Sequence, residues 1–478
     1  MKMTTRALPS LTLGAATLLA LAGCSTLAPK YEKPAVPVSA AWPSGPSYQQ
    51  TSTATPVQAI ADIPWRDFFL EEKLRNIIDL TLKNNRDLRI AVLNIERAQA
   101  QYQIQKSDQL PKINAVAGAS LQQTPESLSA TGHPSTNSQY NIGLGLLSYE
   151  LDMFGRVQSL KAQALEQFLA TEQARRSIQI SLVAQVATQY MALAADQERL
   201  KLAKETLVSQ KDSFQLIQRR FDAGISSALD LQQARTSVDG ARVDIARYTS
   251  LVAQGINALS QLVGSPVPEN LFPTSLTENI SALKEIPPGL PSDVLLQRPD
   301  ILQAENQLKG ANANIGAARA TRFPRISLVS SVGYGSSELS GLFKGGAFAW
   351  GISPSISLPI FDGGSSKAAV KIAEIDRDIL VSQYEKAIQT AFREVADSLA
   401  QRGTIDELLA AQQSLTDASA DRHHLSEVRF DKGIDSHLNV LDAQRSLYTA
   451  QQGLIEVRLT KAKNLVTLYK VLGGGDSK

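Results

Sequence analysis

Few residues of this chain could do chemistry, and their spacing does not favour catalysis. The histidines are His133, His423, His424 and His437, and Cys24 is the only cysteine. His423 and His424 are adjacent within a predicted helix and would face different directions, so they make a poor pair of metal ligands. The sequence contains no phosphate-binding glycine loop, cysteine cluster or arguable Ser/His/Asp set. We therefore expect no enzyme activity, no cofactor and no metal site.

Cys24 ends a segment that has the features of a secretory signal peptide. A basic start with Lys2 and Arg6 precedes the apolar run LTLGAATLLALAG. The residues Leu21-Ala22-Gly23-Cys24 resemble the lipobox of bacterial lipoproteins, which implies removal of residues 1–23 and acylation of Cys24. The same resemblance, with Ser25 rather than aspartate after the cysteine, favours the outer membrane. The alternative is a chance free thiol behind an ordinary cleavage site.

The rest of the composition is that of an ordinary folded protein. Lys and Arg number 48 and Asp and Glu 46, so the charge gives no reason to expect nucleic-acid binding. After the signal peptide no window reaches about 18 consecutive apolar residues, so we expect no transmembrane helix in the mature chain. Residues 24–61 contain much Pro, Ser, Ala and Thr and are predicted to form a lipidated, extended tether.

Two stretches of the chain are nearly the same although they lie 209 residues apart. RFDAGISSALDLQQARTSV begins at Arg220, RFDKGIDSHLNVLDAQRSL begins at Arg429, and nine of nineteen positions are identical. The order of predicted elements repeats as well, which indicates a duplicated half-protein rather than a solenoid of short units. We predict a first structural repeat over 62–264, a linker over 265–290, a second repeat over 291–474 and a tail over 475–478.

Each repeat is predicted to contain a helix, two strands, a very long helix and a long return helix. In the last strand, Phe348, Trp350 and Ile352 alternate with small or polar residues, which is the period-two pattern of a sheet with two unlike faces. Strands of about 10 residues with aromatic ends fit a transmembrane β-barrel. A half-buried sheet in a soluble sandwich is the alternative. The predicted strands span about 113–122, 138–151, 326–336 and 347–361.

Four strands are too few to close a barrel, and lipid does not tolerate an open sheet edge. The chain is therefore expected to oligomerise, and small residues on the inward faces favour an open lumen and hence a trimer or a larger assembly. The long helices, predicted at about 156–218 and 365–429, would each be roughly 90 Å long. With return helices at 226–262 and 435–470, they favour a projecting tube. The alternative is a solid coiled-coil stalk.

The lipobox, the duplicated halves, the two hairpins and the Arg-Phe-Asp-x-Gly and Leu-Asp-Ala-Gln-Arg segments resemble the outer membrane factor family, the TolC-like channels. The lipid-anchored branch, with its OprM-like efflux channels, is the most similar. The resemblance implies an α+β membrane protein in which three chains of four strands each form a 12-stranded transmembrane β-barrel. This barrel would be continuous with a periplasmic α-barrel of twelve helices.

The family also implies a function. On this resemblance we expect a passive outer-membrane exit channel of a tripartite RND-type multidrug efflux pump. The channel would dock on a periplasmic adaptor, or membrane fusion protein, which links it to the inner-membrane RND pump. The alternatives are a duct for type I protein secretion or for metal-ion efflux, and a structural coiled-coil lipoprotein.

The two repeated stretches are expected to be helix-to-helix turns at the periplasmic tip, where Gly224 and Gly433 let the backbone reverse. By resemblance, the second copy forms the gate, with Leu438, Asp442 and Arg445 on one face of a helix. A ring of three Asp442 carboxylates would attract cations. The alternative is that Asp442 and Arg445 are a solvated surface pair. Further candidates for gate contacts are Asp230, Phe430, Asp435 and Asn439.

Overall fold

The computed structural model describes residues 26–48, 63–130, 132–273, 276, 283 and 292–475. The predicted signal peptide, Cys24 and most of the predicted linker lie outside the described residues. The chain divides into two compact units, here called the sheet unit and the helical unit. One boundary, at 35/36, lies before the first helix, the other four fall within helices, and each unit takes segments from both repeats.

Long helices make up most of the described chain. The first repeat contains α1 (Trp65–Phe68), α2 (Glu72–Asn84), α3 (Arg86–Ser107), α4 (Arg156–Asp222) and α5 (Ala228–Val263). The second repeat contains α6 (Pro299–Ala320), α7 (Ser365–Asp431) and α8 (His437–Val471). Short 3-10 helices lie at Glu126–Leu128, Glu269–Leu271, Ser292–Gln297 and Leu339–Gly341.

The two longest helices have the same length, as expected of a duplicated chain. Both α4 and α7 contain 67 residues, which corresponds to about 100 Å of helix. They begin where the sequence predicts and extend a few residues beyond the predicted ends, into the two repeated stretches. The predicted long helices are therefore present, and each is followed by its return helix, α5 or α8.

The sheet unit contains an antiparallel sheet of four strands among the described residues. Its strands are β1 (Ile113–Thr124), β2 (Ser135–Leu151), β3 (Arg325–Ser336) and β4 (Phe348–Ser357), in the order β1-β2-β3-β4. Each of these strands overlaps a predicted strand, with different ends. β1 and β2 are longer than predicted, and β4 ends at residue 357 instead of 361. The pairing stops there because its partner β3 begins at Arg325, which pairs with Ser357, and Pro324 before it has no amide hydrogen with which to extend the ladder.

The register shows that the sheet has the two unlike faces that the sequence predicts. Ala115, Leu144, Val332 and Trp350 pair across the four strands and form one apolar row. On the opposite face, Ser327 Oγ lies 2.8 Å from Ser355 Oγ. The apolar face is open in the single chain, where Trp350 is 70% exposed. Such a face requires an apolar environment that one chain does not provide.

Part of the predicted tether also packs in the sheet unit. The Asn312 side chain on α6 donates to the carbonyl of Pro29 at 2.7 Å, and Lys33 Nζ lies 3.0 Å from Glu305 Oε2 on the same helix. A Cβ on Gly316 would come within 2.6 Å of the Ala28 nitrogen, so this glycine permits the close approach. Residues 26–35 therefore have defined contacts along α6.

The helical unit has an aromatic core that fixes the start of the first repeat. The Phe68 and Tyr469 rings are stacked with centroids 4.0 Å apart, and Phe69 meets Tyr469 edge-on. The Tyr469 hydroxyl donates to the carbonyl of Ile63 at 2.6 Å. Trp65 is also fully buried, with 1% exposure. The contact of α1 with α8 therefore joins the two repeats within one core.

One helix in the described part of the chain has the length and composition that a membrane-spanning helix needs. It is α4, and 67% of its apolar window is buried inside the protein. Packed helices of large proteins commonly have this character, so this observation alone does not indicate a membrane span.

Candidate functional site

Two helix-to-helix turns form the candidate site. The first turn, residues 220–227, joins α4 to α5, and the second turn, residues 429–436, joins α7 to α8. In both, the glycine amide donates to the carbonyl three residues earlier and the next amide donates to the carbonyl five residues earlier, at 2.8–2.9 Å. Gly224 and Gly433 both have φ of 72°, a left-handed conformation that a Cβ would strain. The two copies therefore reverse the chain with the same backbone.

The start of α8 has one buried face and one exposed face. Leu441 packs in a small core with Ile217 of α4 and Ala234 of α5. The predicted gate side chains, Leu438, Asp442 and Arg445, lie together on the exposed face. The packing of the buried face therefore fixes the direction in which these three side chains project.

Asp442 is not a bare carboxylate on that face. Arg422, which belongs to α7, places Nη2 2.5 Å from Asp442 Oδ2, and Arg445 Nη2 lies 3.9 Å from Oδ1. A second nitrogen of Arg422 donates to Ser446 Oγ at 3.4 Å. Sequence reasoning placed Arg445 beside Asp442 but missed Arg422, because the pair forms between different helices. Alignment of the two repeats could have found it, since Ser213 stands at the equivalent position.

Asp435 forms an ion pair within its own turn. Arg429 Nε lies 2.6 Å from Asp435 Oδ2, and Arg429 Nη2 lies 3.1 Å from Oδ1. This two-point contact with the guanidinium holds the pKa of Asp435 below its usual value, and the same contact raises the pKa of Arg429. Asp435 therefore braces the second turn from inside.

Asp230 caps the helix that follows the first turn. The Ser227 hydroxyl accepts from the Asp230 amide at 3.1 Å, and Asp230 Oδ2 accepts from the Ser227 amide at 3.0 Å. This reciprocal pair is a capping box at the start of α5. The hydrogen bonds from Ser227 lower the pKa of Asp230. Both partners are thus satisfied locally.

Phe430 connects the second turn to helices of the first repeat. Its ring packs against Ile217, Ala234 and Leu441. The Arg220 guanidinium lies 5.0 Å from the ring centroid, which is within cation–π distance. The two turns therefore share one packed contact, and Phe430 is at its centre.

His437, the first residue of α8, also packs against Phe430 and was not singled out by the sequence. The two rings meet edge-on with centroids 5.1 Å apart, and His437 Nε2 lies 2.7 Å from Ser213 Oγ on α4. Burial lowers the pKa of His437, and the charge of Arg220 acts in the same direction, whereas Asp230 opposes it. These surroundings therefore favour the neutral imidazole.

The described residues show where the remaining predicted residues lie. Asn439 is exposed on α8, and its backbone amide donates to the carbonyl of Ser436 at 3.1 Å. Cys24 is outside the described residues. Across those residues, no three His, Cys, Asp or Glu side chains come together as a metal site would require. What the turns assemble is a packed junction with a polar, charged face.

Comparison with known proteins identifies the family that carries these two turns. A family model described as outer membrane efflux protein matches residues 77–265 and 290–474. The chain belongs to this outer membrane efflux family. The antibiotic efflux pump outer membrane protein ArpC of Pseudomonas putida is 49% identical over 461 residues, which are 96% of this chain and 94% of that protein. Outer membrane protein OprJ of Pseudomonas aeruginosa is 43% identical over 461 residues, 96% of this chain and 95% of that protein.

Solved structures of outer-membrane channels have the fold of this efflux-family chain. The open state of the Neisseria gonorrhoeae MtrE outer membrane channel matches with a TM-score of 0.83 and 37% identity, over 94% of this chain and 98% of that chain. The Campylobacter jejuni CmeC outer membrane channel matches with a TM-score of 0.87 and 27% identity, over 94% and 95%.

These matches confirm three predictions made from the sequence. The chain is an outer membrane efflux protein, its fold is the α+β fold of outer-membrane channels with an internal repeat, and its location is the outer membrane. The family is one of efflux channels and not a family of enzymes. The roles of individual residues in the two turns remain predictions.

Proposed function

We propose that this efflux-family protein is the passive exit channel of a tripartite RND-type multidrug efflux pump. Substrates reach it from a periplasmic adaptor and an inner-membrane pump, and leave the cell through its lumen. The observation that carries the proposal is the match over nearly the whole chain to outer membrane proteins of toluene, solvent and antibiotic efflux pumps. Because transport through this chain has no energy source of its own, its partners supply the energy.

A single chain is an incomplete channel. Among the described residues its sheet ends in two edge strands, β1 and β4, each with one unpaired edge, and its apolar face is open. In lipid an unpaired edge would leave backbone groups without hydrogen bonds, and four strands are too few to close. Three copies supply twelve strands, and the exposed apolar side chains of α7, such as Ile372 and Ile379, offer contacts for neighbouring helices. The functional unit is therefore a homotrimer.

The two turns form the periplasmic entrance in this proposal. Leu438, Asp442 and Arg445 line the constriction in the closed state, since the packing of Leu441 fixes that face of α8. Phe430, Asp435, Asp230 and Asn439 support the turns around it. Opening requires α7 and α8 to move away from the channel axis, so contacts that hold α8 in place also hold the gate shut.

Acylation of Cys24 anchors the chain to the outer membrane in this proposal. Two observations support it, the apolar signal segment and the position of the cysteine directly after it. Mass spectrometry of the purified protein tests the modification, and a serine at this position should abolish the added lipid. An unmodified Cys24 in the mature protein would rule out the anchor without affecting the channel.

Deletion and complementation test the efflux function. A deletion strain should become sensitive to several unrelated drugs and solvents, and the intact gene should restore resistance. A strain that instead keeps its resistance and loses a secreted protein would support a type I secretion duct, and sensitivity to metal ions alone would support metal efflux. Purified trimer that conducts no ions across a bilayer would support a structural lipoprotein.

A further inference from the structure

The internal repeat allows each charged residue of the predicted gate to be compared with the residue at the equivalent position of the first copy. Positions 209 residues apart are equivalent, as the two turns show. On that alignment Arg422, Asp442 and Arg445 correspond to Ser213, Gln233 and Thr236, which are all uncharged. Three charged residues thus stand in the second copy where the first copy has none.

These three charged residues lie close to one another, although they belong to two different helices. Arg422 on α7 contacts Asp442 at 2.5 Å, and Arg445 approaches the other carboxylate oxygen to 3.9 Å. Arg422 also reaches Ser446, one turn further along α8. Ser446 is unchanged between the copies, since Ser237 is its equivalent. The guanidinium therefore bridges two successive turns of α8 and determines where the Asp442 carboxylate lies.

The charge of this cluster differs in sign from the acidic ring that the sequence suggests. Each chain contributes one carboxylate and two guanidinium groups, so the net charge of the cluster is +1 per chain. The side chains of Arg422 and Asp442 are 54% and 53% exposed, so the pair faces solvent. In the channel proposed above, a permeating ion at this level would meet a neutralised carboxylate beside an excess of positive charge.

We propose that Arg422 is a selectivity-determining residue of the gate, which cancels the charge of Asp442 and turns the constriction from cation-attracting to neutral or anion-preferring. The proposal deepens the channel function proposed above and rests on it. Arg422 acts in two ways: its charge adds to the field in the constriction, and its contacts fix the Asp442 side chain. Anionic solutes should therefore meet no electrostatic barrier at this point.

The experiment measures ion selectivity of the purified full-length trimer in planar bilayers. Reversal potentials across a KCl gradient give the ratio of K⁺ to Cl⁻ permeability for wild type, Arg422→Gln, Arg422→Lys and Asp442→Asn. Arg422→Gln should raise the ratio at least about twofold, because the carboxylates lose their nearest positive partner. Asp442→Asn should lower it, and Arg422→Lys should stay near wild type.

A matched control separates this role from a general effect of surface charge. Arg242 on α5 lies 3.1 Å from Asp239 in a similarly exposed ion pair that is distant in sequence from the turns. Arg242→Gln makes the same change of charge and should leave the reversal potential unchanged. The trimer state of each variant is checked on native gels before recording.

The outcomes distinguish this proposal from the channel proposal. An unchanged reversal potential in conducting Arg422→Gln trimers, or an equal shift in Arg422→Gln and Arg422→Lys, would overturn the selectivity role. If Arg422→Gln does not form trimers, the wild-type trimer decides: a K⁺ to Cl⁻ ratio without cation preference supports the neutralised ring, and a clearly cation-preferring ratio contradicts it. A wild-type trimer without any conductance would instead overturn the proposed channel.

Discussion

The first and second turns have the same backbone but different side-chain contacts. Both end a 67-residue helix with a left-handed glycine and the same pair of amide hydrogen bonds. In the first turn Asp230 caps α5, whereas Asn439 at the equivalent position contributes no described side-chain cap to α8. In the second turn Asp435 binds Arg429, and its equivalent in the first turn is Ser226.

The equivalent aromatic and basic residues show the same divergence. Arg429 is occupied by its own turn, whereas Arg220 lies over the Phe430 ring of the other copy. Phe430 is packed against three residues, while its equivalent Phe221 is 38% exposed. The comparison teaches that the duplication preserved the reversal of the chain and left the side chains free to diverge. The second copy carries the charged face, and side chains of the first copy pack against it.

The largest effect is expected from the phenylalanine that joins the copies. Phe430→Ala removes packing against Ile217 and Leu441 and should destabilise the turns by about 2 kcal/mol, somewhat below the loss for a fully buried ring. Phe221→Ala should destabilise the turns much less, because the Phe221 ring is already partly exposed to solvent. Hydrogen exchange of the turn amides gives the local opening free energy in both variants. An equal loss of opening free energy in the two variants would contradict the proposed difference between Phe430 and Phe221.

The next largest expected effect is a pH dependence in the stability of the second turn, which arises from His437. Its pKa is lowered in the folded chain, chiefly by burial, so folding favours the neutral ring. The stabilisation is complete above the ordinary histidine pKa of about 6.5 and is lost as the pH falls through and below that value. The groups that face the ring are Ser213, Arg220, Asp230 and Phe430. In the first repeat, the position equivalent to His437 is Ala228.

Hydrogen exchange at several pH values measures this effect. Between pH 7 and 5, opening of the second turn should become easier in wild type and stay constant in His437→Gln, once the intrinsic exchange rates are corrected. Asp230 and Asp435 do not contribute in this window, because their pKa values are lowered from ordinary values that already lie near 4. His423→Gln, which lies on α7 before the turn, is the control and should keep the wild-type pH profile. An identical pH profile in His437→Gln would refute the role of the imidazole.

The smallest effect concerns the helix cap. Asp230→Ala removes half of the capping box and should destabilise the start of α5 by about 1 kcal/mol, or less because the site is exposed. Asn439→Ala at the equivalent position of α8 should change stability little. Exchange rates of the first amides in α5 and α8 report both values. A larger loss of stability for Asn439→Ala than for Asp230→Ala would contradict the proposed difference between the two helix caps.

Much of the fold could be predicted because the sequence repeats and alternates. The alternation around Trp350 predicted the row that runs through Val332 and Leu144, and the 209-residue spacing predicted the two turns. Backbone chemistry sets these features locally. The end of β4 was missed because the alternation continues to Ile360, whereas the ladder stops where its partner β3 begins, directly after Pro324.

The contacts of the candidate site were harder to predict because they join separate helices. Arg422 lies 20 residues before Asp442 in the sequence, and only the packing of α7 against α8 brings them together. His437 was named only as one of the histidines, and its contact with Ser213 depends on α4, 224 residues earlier. No local pattern encodes such pairs. Comparison of the repeats does point to them, since the charged residues appear in one copy alone.

Single-channel recording of two equivalent substitutions tests the central claim that only the second copy carries the gate. Asp442→Ala leaves two guanidinium groups per chain without a carboxylate, so repulsion across the axis should widen the constriction. Conductance should rise and cation preference should fall. Gln233→Ala, at the same position of the first copy, should leave both unchanged. Equal changes in the two variants, or no change in Asp442→Ala, would contradict the account.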